Sequence, residues 1–130
     1  MQKKVISTNL APAAVGPYSQ GIVAPQGRTI YASGQLPLDL ETGELISENF
    51  EAQARQAFKN LEAVLAAEGA RLEHVVKFSL FLTDLSMFAT VNAIMAELVP
   101  EPFPARSTIG VASLPKGAQF EVEAIAVIAD

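Results

Sequence analysis

The 130-residue chain contains no cysteine and no tryptophan, and only one histidine. Without cysteine there can be no disulfide framework, no thiolate nucleophile and no cysteine-containing metal site. The single histidine, His74, cannot supply the ligand spacing of a zinc centre. Positive charge is scarce as well: 9 Lys and Arg stand against 14 Asp and Glu, a formal net charge of -5. That balance lacks the basic footprint with which proteins neutralise phosphates, so nucleic acid is not an expected partner. Long hydrophobic runs are missing too. No window reaches the roughly 18 apolar residues of a membrane span. Met1-Gln2-Lys3-Lys4 leads only to Val5-Ile6 before polar residues resume, too little for a signal-peptide core. A cytoplasmic protein without membrane contact is expected.

Aromatic residues are few, 7% of the chain, although hydrophobic residues make up 50%. The core must therefore be built from Ala, Val, Leu and Ile, with apolar surface left over that favours oligomerisation. At this length one domain, residues 1–130, suffices to bury roughly two-thirds of the unfolded surface. No internal repeat, low-complexity tract or linker interrupts it.

The first third is punctuated by Pro12, Gly16-Pro17, Gly21, Pro25, Gly27, Gly34, Pro37 and Gly43, with short β-forming pieces between them. Thr29 to Ser33 is the clearest early strand. Ile22 to Ala24 is expected to pair with it as a hairpin across Pro25-Gln26-Gly27-Arg28, and Val5-Ile6 to form an edge. From Asn49 to Glu68 the period changes: Ala54, Ala57, Phe58, Leu61, Val64 and Leu65 recur at helical spacing, with Ser47 or Asn49 to cap the start and Gly69 to end it. Val75 to Leu82 reads as a strand apolar on most of both faces. Asp84-Leu85-Ser86 can cap a second helix with a stripe of Phe88, Val91, Met95 and Leu98, halted by Pro100 and Pro102. Two closing strands, about Ala105 to Val111 and Phe120 to Ile128, are joined by the turn Leu114 to Gly117. Helices separated by single strands beside antiparallel pieces predict an α+β sandwich, a mainly antiparallel sheet with both helices on one face.

Three ionic groups stand in the closing strands. Arg106 follows Pro104-Ala105 and precedes Ser107-Thr108; its guanidinium is a rigid fork of donors matched to a carboxylate. It either binds an anionic ligand or pairs structurally with Glu121 or Glu123. Those two carboxylates alternate with Phe120, Val122 and Ala124, which puts them on the face of Ile125 and Val127. Glu121 could serve as a general base if its surroundings raise its pKa, or form an interface salt bridge. Glu123 reads as a structural partner. Tyr18 lies between the chain-bending Gly16 and Gly21, where its ring can line a pocket. Ser33-Gly34 can present a hydroxyl and a closely approachable backbone, or simply turn the chain. His74 reads as a surface residue with no triad context, and no lysine stands out as a Schiff-base former.

Several ordered motifs recur together over nearly the whole chain: Ala13-Ala-Val-Gly-Pro-Tyr-Ser-Gln-Gly21, Ala32-Ser-Gly-Gln-Leu-Pro37, Gln53-Ala-Arg-Gln56 with Asn60-Leu61, Val76-Lys77, Thr83-Asp84-Leu85, Phe88-Ala-Thr-Val-Asn92, Phe103-Pro-Ala-Arg-Ser-Thr108 and Glu121-Val-Glu-Ala-Ile-Ala126. In these the chain resembles the reactive intermediate deaminase family, also called RidA or YjgF. The resemblance implies a chorismate-mutase-like fold, a homotrimer whose sheets line a central barrel, and active sites in the subunit clefts. It implies hydrolysis of the 2-enamine and 2-imine acids, 2-iminopropanoate and 2-iminobutanoate, that pyridoxal-phosphate enzymes release. Carried over by position, Arg106 would hold the substrate carboxylate, the backbone at Thr108 and Gly34 and the Ser33 hydroxyl would complete the cradle, Tyr18 would line the site, and Glu121 would hold the attacking water. Phe88, Ile109 and Tyr18 would set side-chain selectivity. Since an imine carbon is already electrophilic, neither a metal nor an organic cofactor is expected. Many bacterial relatives carry cysteine where Thr108 stands; the expected contact there is the backbone N–H, so catalysis should survive while cysteine-modification chemistry does not carry over. Relatives of the family are also credited with ribonuclease or translation-inhibitor activity, and a non-enzymatic metabolite-binding or chaperone-like trimer using the same cleft is a third reading.

Overall fold

The computed structural model describes residues 3–129; Met1, Gln2 and Asp130, at the ends of the expected domain, lie outside the described residues. The element with the plainest sequence cause is α1, Phe50–Ala66. Asn49 is extended and its side chain accepts from Ala52 N at 2.9 Å, satisfying one of the unpaired donors of the first turn. Ala54, Ala57, Phe58, Leu61 and Leu65 fall on one face and are buried. Beyond its end Gly69 takes a left-handed φ of 77°, a conformation most side chains resist. The second helix, α2, is Phe88–Leu98, and Asp84 caps the short 3-10 turn before it by accepting from Ser86 N at 2.9 Å.

Six strands form two sheets: β1 (Lys4–Ile6), β2 (Gly21–Val23), β3 (Arg28–Gln35), β4 (Val75–Leu82), β5 (Ala105–Gly110) and β6 (Phe120–Ile128). β1 and β2 pair antiparallel, with Val5 opposite Ile22. The other four lie in the order β3-β6-β4-β5; β6 runs antiparallel to both neighbours, while β4 and β5 are parallel and are joined through α2. Two expectations are corrected here. Ile22 to Ala24 does not pair with β3, because β3 takes the last strand of the chain as its neighbour and leaves β2 to β1. The closing strands β5 and β6 are not adjacent either, since β4 is inserted between them. The sheet is mainly antiparallel, as expected, with β4 and β5 as its parallel pair.

One face of the large sheet carries Ala32, Phe78, Leu80, Phe120, Val122 and Ala124, all buried against the two helices. Phe58 of α1 packs edge-on to Phe78, ring centroids 5.9 Å apart, and tilted over Phe120 at 5.7 Å. Gln53, the only buried polar side chain among the described residues, is satisfied at both ends: it donates to Ser47 O and accepts from Gln119 N, which ties the start of α1 to the start of β6. Asn60 donates to the carbonyls of Leu36 and Leu38 and so fixes the chain leaving β3. Two helices on one face agree with expectation. The opposite face, with Tyr31, Phe81, Ile109 and Ile125 beside Glu121 and Glu123, carries no covering layer among the described residues, and Tyr31 is 78% exposed.

Candidate functional site

Pairing register decides which side chains can meet. Arg106 stands opposite Phe78 and Thr108 opposite Leu80, so both point to the helix-covered face. Arg106 there donates from Nη1 to Asn92 Oδ1 at 2.7 Å, on α2, and lies 3.6 Å from Met95 Sδ. Its guanidinium carbon sits 4.7 Å from the centre of the Tyr18 ring and 5.3 Å from that of Phe88, both within cation–π range. Burial pushes the guanidinium below its usual range, while the Tyr18 phenol acts in the opposite sense. No carboxylate among the described residues lies within ion-pair distance of it.

Tyr18 reaches this place through local backbone chemistry. Its N–H donates to Gly16 O at 2.8 Å, and next to it Ser19 N donates to Pro104 O at 2.9 Å, docking the Gly16 to Ser19 turn beside the start of β5. The Gln20 side chain gathers the preceding loop by accepting from Thr8 N and donating to Pro12 O. Val15, Tyr18, Phe88, Arg106 and Thr108 line an open cavity of about 220 Å³. Thr108 Oγ1 is buried without a hydrogen-bond partner. On β5 the odd-numbered residues bond to β4, as where Val111 N donates to Leu82 O, which directs the Thr108 N–H toward the open edge of the sheet.

Ser33, Gly34 and Glu121 form a second group. β3 has one extra residue between Ala32, opposite Ala124, and Gln35, opposite Val122, a bulge at Ser33-Gly34. A Cβ placed on Gly34 would overlap the Glu121 carboxylate, so only glycine leaves room for that group. Partial burial raises the Glu121 pKa, and the neighbouring Glu123 charge raises it further. Such a group adds stability when protonated. That contribution is full below the usual value of 4.5 and is lost as pH climbs through the raised one. Glu121→Gln, which cannot ionise, should melt at a higher temperature than the parent at pH 7. The difference should close in scanning calorimetry as pH falls below 4.5.

The two groups do not meet within one chain. Glu121 stands opposite Phe81, on the uncovered face, and β4 separates β6 from β5, about 10 Å by ordinary strand spacing. The alternative of an Arg106 ion pair with Glu121 or Glu123 is therefore not realised. Ile109, opposite Phe81, shares the Glu121 face and does not join Phe88 and Tyr18. His74 accepts from Arg71 N through Nδ1 and closes a short turn. Asn92, which accepts from Arg106, and Val15, which lines the cavity, are visible in the sequence only as members of motifs. Among the described residues no three His, Asp or Glu side chains gather as metal ligands, and no helix is long and apolar enough to cross a membrane.

Comparison with known proteins places this geometry among relatives. Residues 8–128 match the family described as Endoribonuclease L-PSP. A 2-iminobutanoate/2-iminopropanoate deaminase of Dermatophagoides farinae is 45% identical over 126 residues, covering 97% of this chain and 97% of that protein. The crystal structure of RidA from the Antarctic bacterium Psychrobacter sp. PAMC 21119 aligns with a TM-score of 0.75 at 50% identity, covering 96% of this chain and 99% of that one. E. coli TdcF with bound serine aligns with a TM-score of 0.70 at 38% identity, covering 97% and 98%. Carrying the expected motifs on the matching α+β fold, the chain belongs to the Endoribonuclease L-PSP family, the RidA/YjgF family of reactive intermediate deaminases.

Proposed function

We propose that this protein hydrolyses short 2-imino acids, 2-iminopropanoate and 2-iminobutanoate, to the 2-oxo acid and ammonia. The observation that carries the proposal is Arg106: a half-buried guanidinium, flanked by two aromatic rings, opening on a small cavity with no anion of its own among the described residues. A substrate carboxylate would supply that anion. The relative named as a 2-iminobutanoate/2-iminopropanoate deaminase and the serine held by TdcF both agree with a small carboxylate ligand.

In this scheme Arg106 grips the carboxylate with two parallel N–H donors. The N–H groups of Thr108 and Gly34 and the Ser33 hydroxyl complete the cradle, and Tyr18 covers the substrate. Glu121 takes a proton from water as its oxygen adds to the imine carbon. The nitrogen, protonated in the reacting iminium form, becomes the neutral amine of the carbinolamine; Glu121 returns its proton to that amine, and the hydroxyl passes its own proton to the freed Glu121 carboxylate as the C–N bond breaks, the carbonyl forms and ammonia leaves. The raised Glu121 pKa suits a group that must both accept and return a proton.

Because Arg106 and Glu121 face opposite sides of one sheet, we propose that a complete site takes one group from each of two neighbouring copies. The assembly would be a homotrimer of single-domain chains, residues 1–130, working in the cytoplasm. In it the uncovered sheet faces bearing Tyr31, Phe81 and Ile125 would line a central barrel.

The test is 2-oxobutanoate release from a threonine dehydratase reaction under conditions where free imine hydrolysis is slow. Addition of this protein should accelerate release; an intact oligomer that gives no acceleration would shift the reading to a metabolite-binding protein. The family description keeps a ribonuclease reading in view. The net charge of -5 opposes it, and RNA cleavage abolished by Arg106→Ala in nuclease-free preparations would restore it.

A further inference from the structure

We infer that Asn92 is a positioning residue whose neutrality matters as much as its hydrogen bond: it holds the Arg106 guanidinium in place without cancelling its charge. The inference rests on the proposed role of Arg106 as the carboxylate grip and deepens it.

Even a half-buried guanidinium commonly has a carboxylate partner, since an isolated charge is costly to desolvate. Arg106 has none among the described residues. Its nearest strong acceptor is an amide oxygen, Asn92 Oδ1, 2.7 Å from Nη1. The remaining neighbours are also uncharged: the Met95 thioether 3.6 Å away and the faces of Tyr18 and Phe88. Every contact therefore stabilises the cation or fixes its plane while leaving the full positive charge for a ligand. The Asn92 amide is itself confined. A Cβ at Gly16 would lie 3.5 Å from Asn92 Nδ2 and 3.8 Å from Arg106 Nη2, so the glycine turn packs against both groups. With Nη1 committed to Asn92, the rest of the donor fork remains for a bidentate acceptor.

Aspartate at this position would keep the shape and the hydrogen bond but turn the grip into an internal ion pair. A merely structural asparagine and a charge-preserving one therefore predict opposite rankings. If Asn92 only props up α2 or β5, Asn92→Asp, which is isosteric and can still accept from Nη1, must be milder than Asn92→Ala. If neutrality is the point, Asn92→Asp must be the worse of the two.

The experiment measures 2-oxobutanoate binding by calorimetry and imine hydrolysis by steady-state kinetics on the assembled protein. Asn92→Ala should weaken binding about tenfold, through a less ordered guanidinium. Asn92→Asp should weaken it about a hundredfold, because the new carboxylate competes for the same charge in a partly desolvated site. In both variants KM should rise while kcat stays within about threefold of the parent, as expected when an interaction common to ground and transition states is lost. Melting temperature and oligomer mass should be unchanged for Asn92→Asp. Binding by Asn92→Asp equal to or tighter than that by Asn92→Ala overturns the inference. Should Asn92→Asp fail to assemble, a double-mutant cycle decides: the effect of Asn92→Ala on kcat/KM should fall below about twofold once Arg106 is alanine, and an undiminished effect overturns the inference. Failure of the underlying reading is distinct, since Arg106→Ala would then bind 2-oxobutanoate like the parent.

Discussion

Arg106→Ala is expected to lower kcat/KM for 2-iminobutanoate by about three orders of magnitude, with the oligomer intact. Truncating one partner of a desolvated, hydrogen-bonded charge pair costs about 2–5 kcal/mol. At about 1.4 kcal/mol per tenfold in rate, the middle of that range is a factor of a few hundred and its upper part exceeds a thousand. The larger end applies here because three features of the pocket are built around this one group: the Tyr18 and Phe88 faces and the Asn92 amide. Arg106→Lys should lie between the two, roughly tenfold to a hundredfold below the parent, since an ammonium keeps the charge but loses the planar fork. Full efficiency in Arg106→Lys would sink the bidentate grip while leaving a charge-based pocket standing. Stability should change little by comparison, because Arg106 has no ion pair among the described residues of its own chain to lose.

Co-expressed Arg106→Ala and Glu121→Ala chains should recover activity that neither variant has alone. If each site draws Arg106 from one copy and Glu121 from the next, random assembly leaves both groups intact at about one interface in four of a closed ring. Roughly a quarter of parental activity per site should return, against a background near zero. A site complete within one chain predicts no recovery at all. The register supports the first outcome: Arg106 with Thr108 lies on one face of β5, and Glu121 with Gly34 on the other face, across β4. Mass measurement of the mixed species separates failure of exchange from failure of complementation.

Much of this arrangement is legible in the sequence. Asn49, the apolar recurrence from Ala54 to Leu65 and the Gly69 break mark α1 almost to the residue, and the alternation from Phe120 to Ile128 separates the core-facing residues from Glu121 and Glu123. Such signals are local, fixed by capping geometry and by the two-residue period of a strand. The partner of β2 is not local, nor is the insertion of β4 between β5 and β6. Alternation within a strand says which residues share a face but not which face of the sheet that is, because the phase between strands is set only when they pair. Hence Arg106 and Glu121 each read correctly as ionic groups in apolar strands, while their separation stays hidden. For the same reason the sequence does not show that Ile109 shares the Glu121 face rather than the Arg106 face of its own chain. Asn92 reads only as a polar residue on an amphipathic helix until β5 docks beside it.

Met95 joins the core to the Arg106 guanidinium. Its side chain is fully buried between α2 and the sheet, yet its sulfur touches the Arg106 guanidinium. The anion grip consequently has no floor of its own: its lower wall is the packed interior. On warming, affinity for a carboxylate ligand cannot outlast core packing beneath α2. The temperature at which the protein stops holding 2-oxobutanoate should therefore never exceed the onset of core loosening, which makes the helix-covered face of the sheet an upper limit on the working range of the grip.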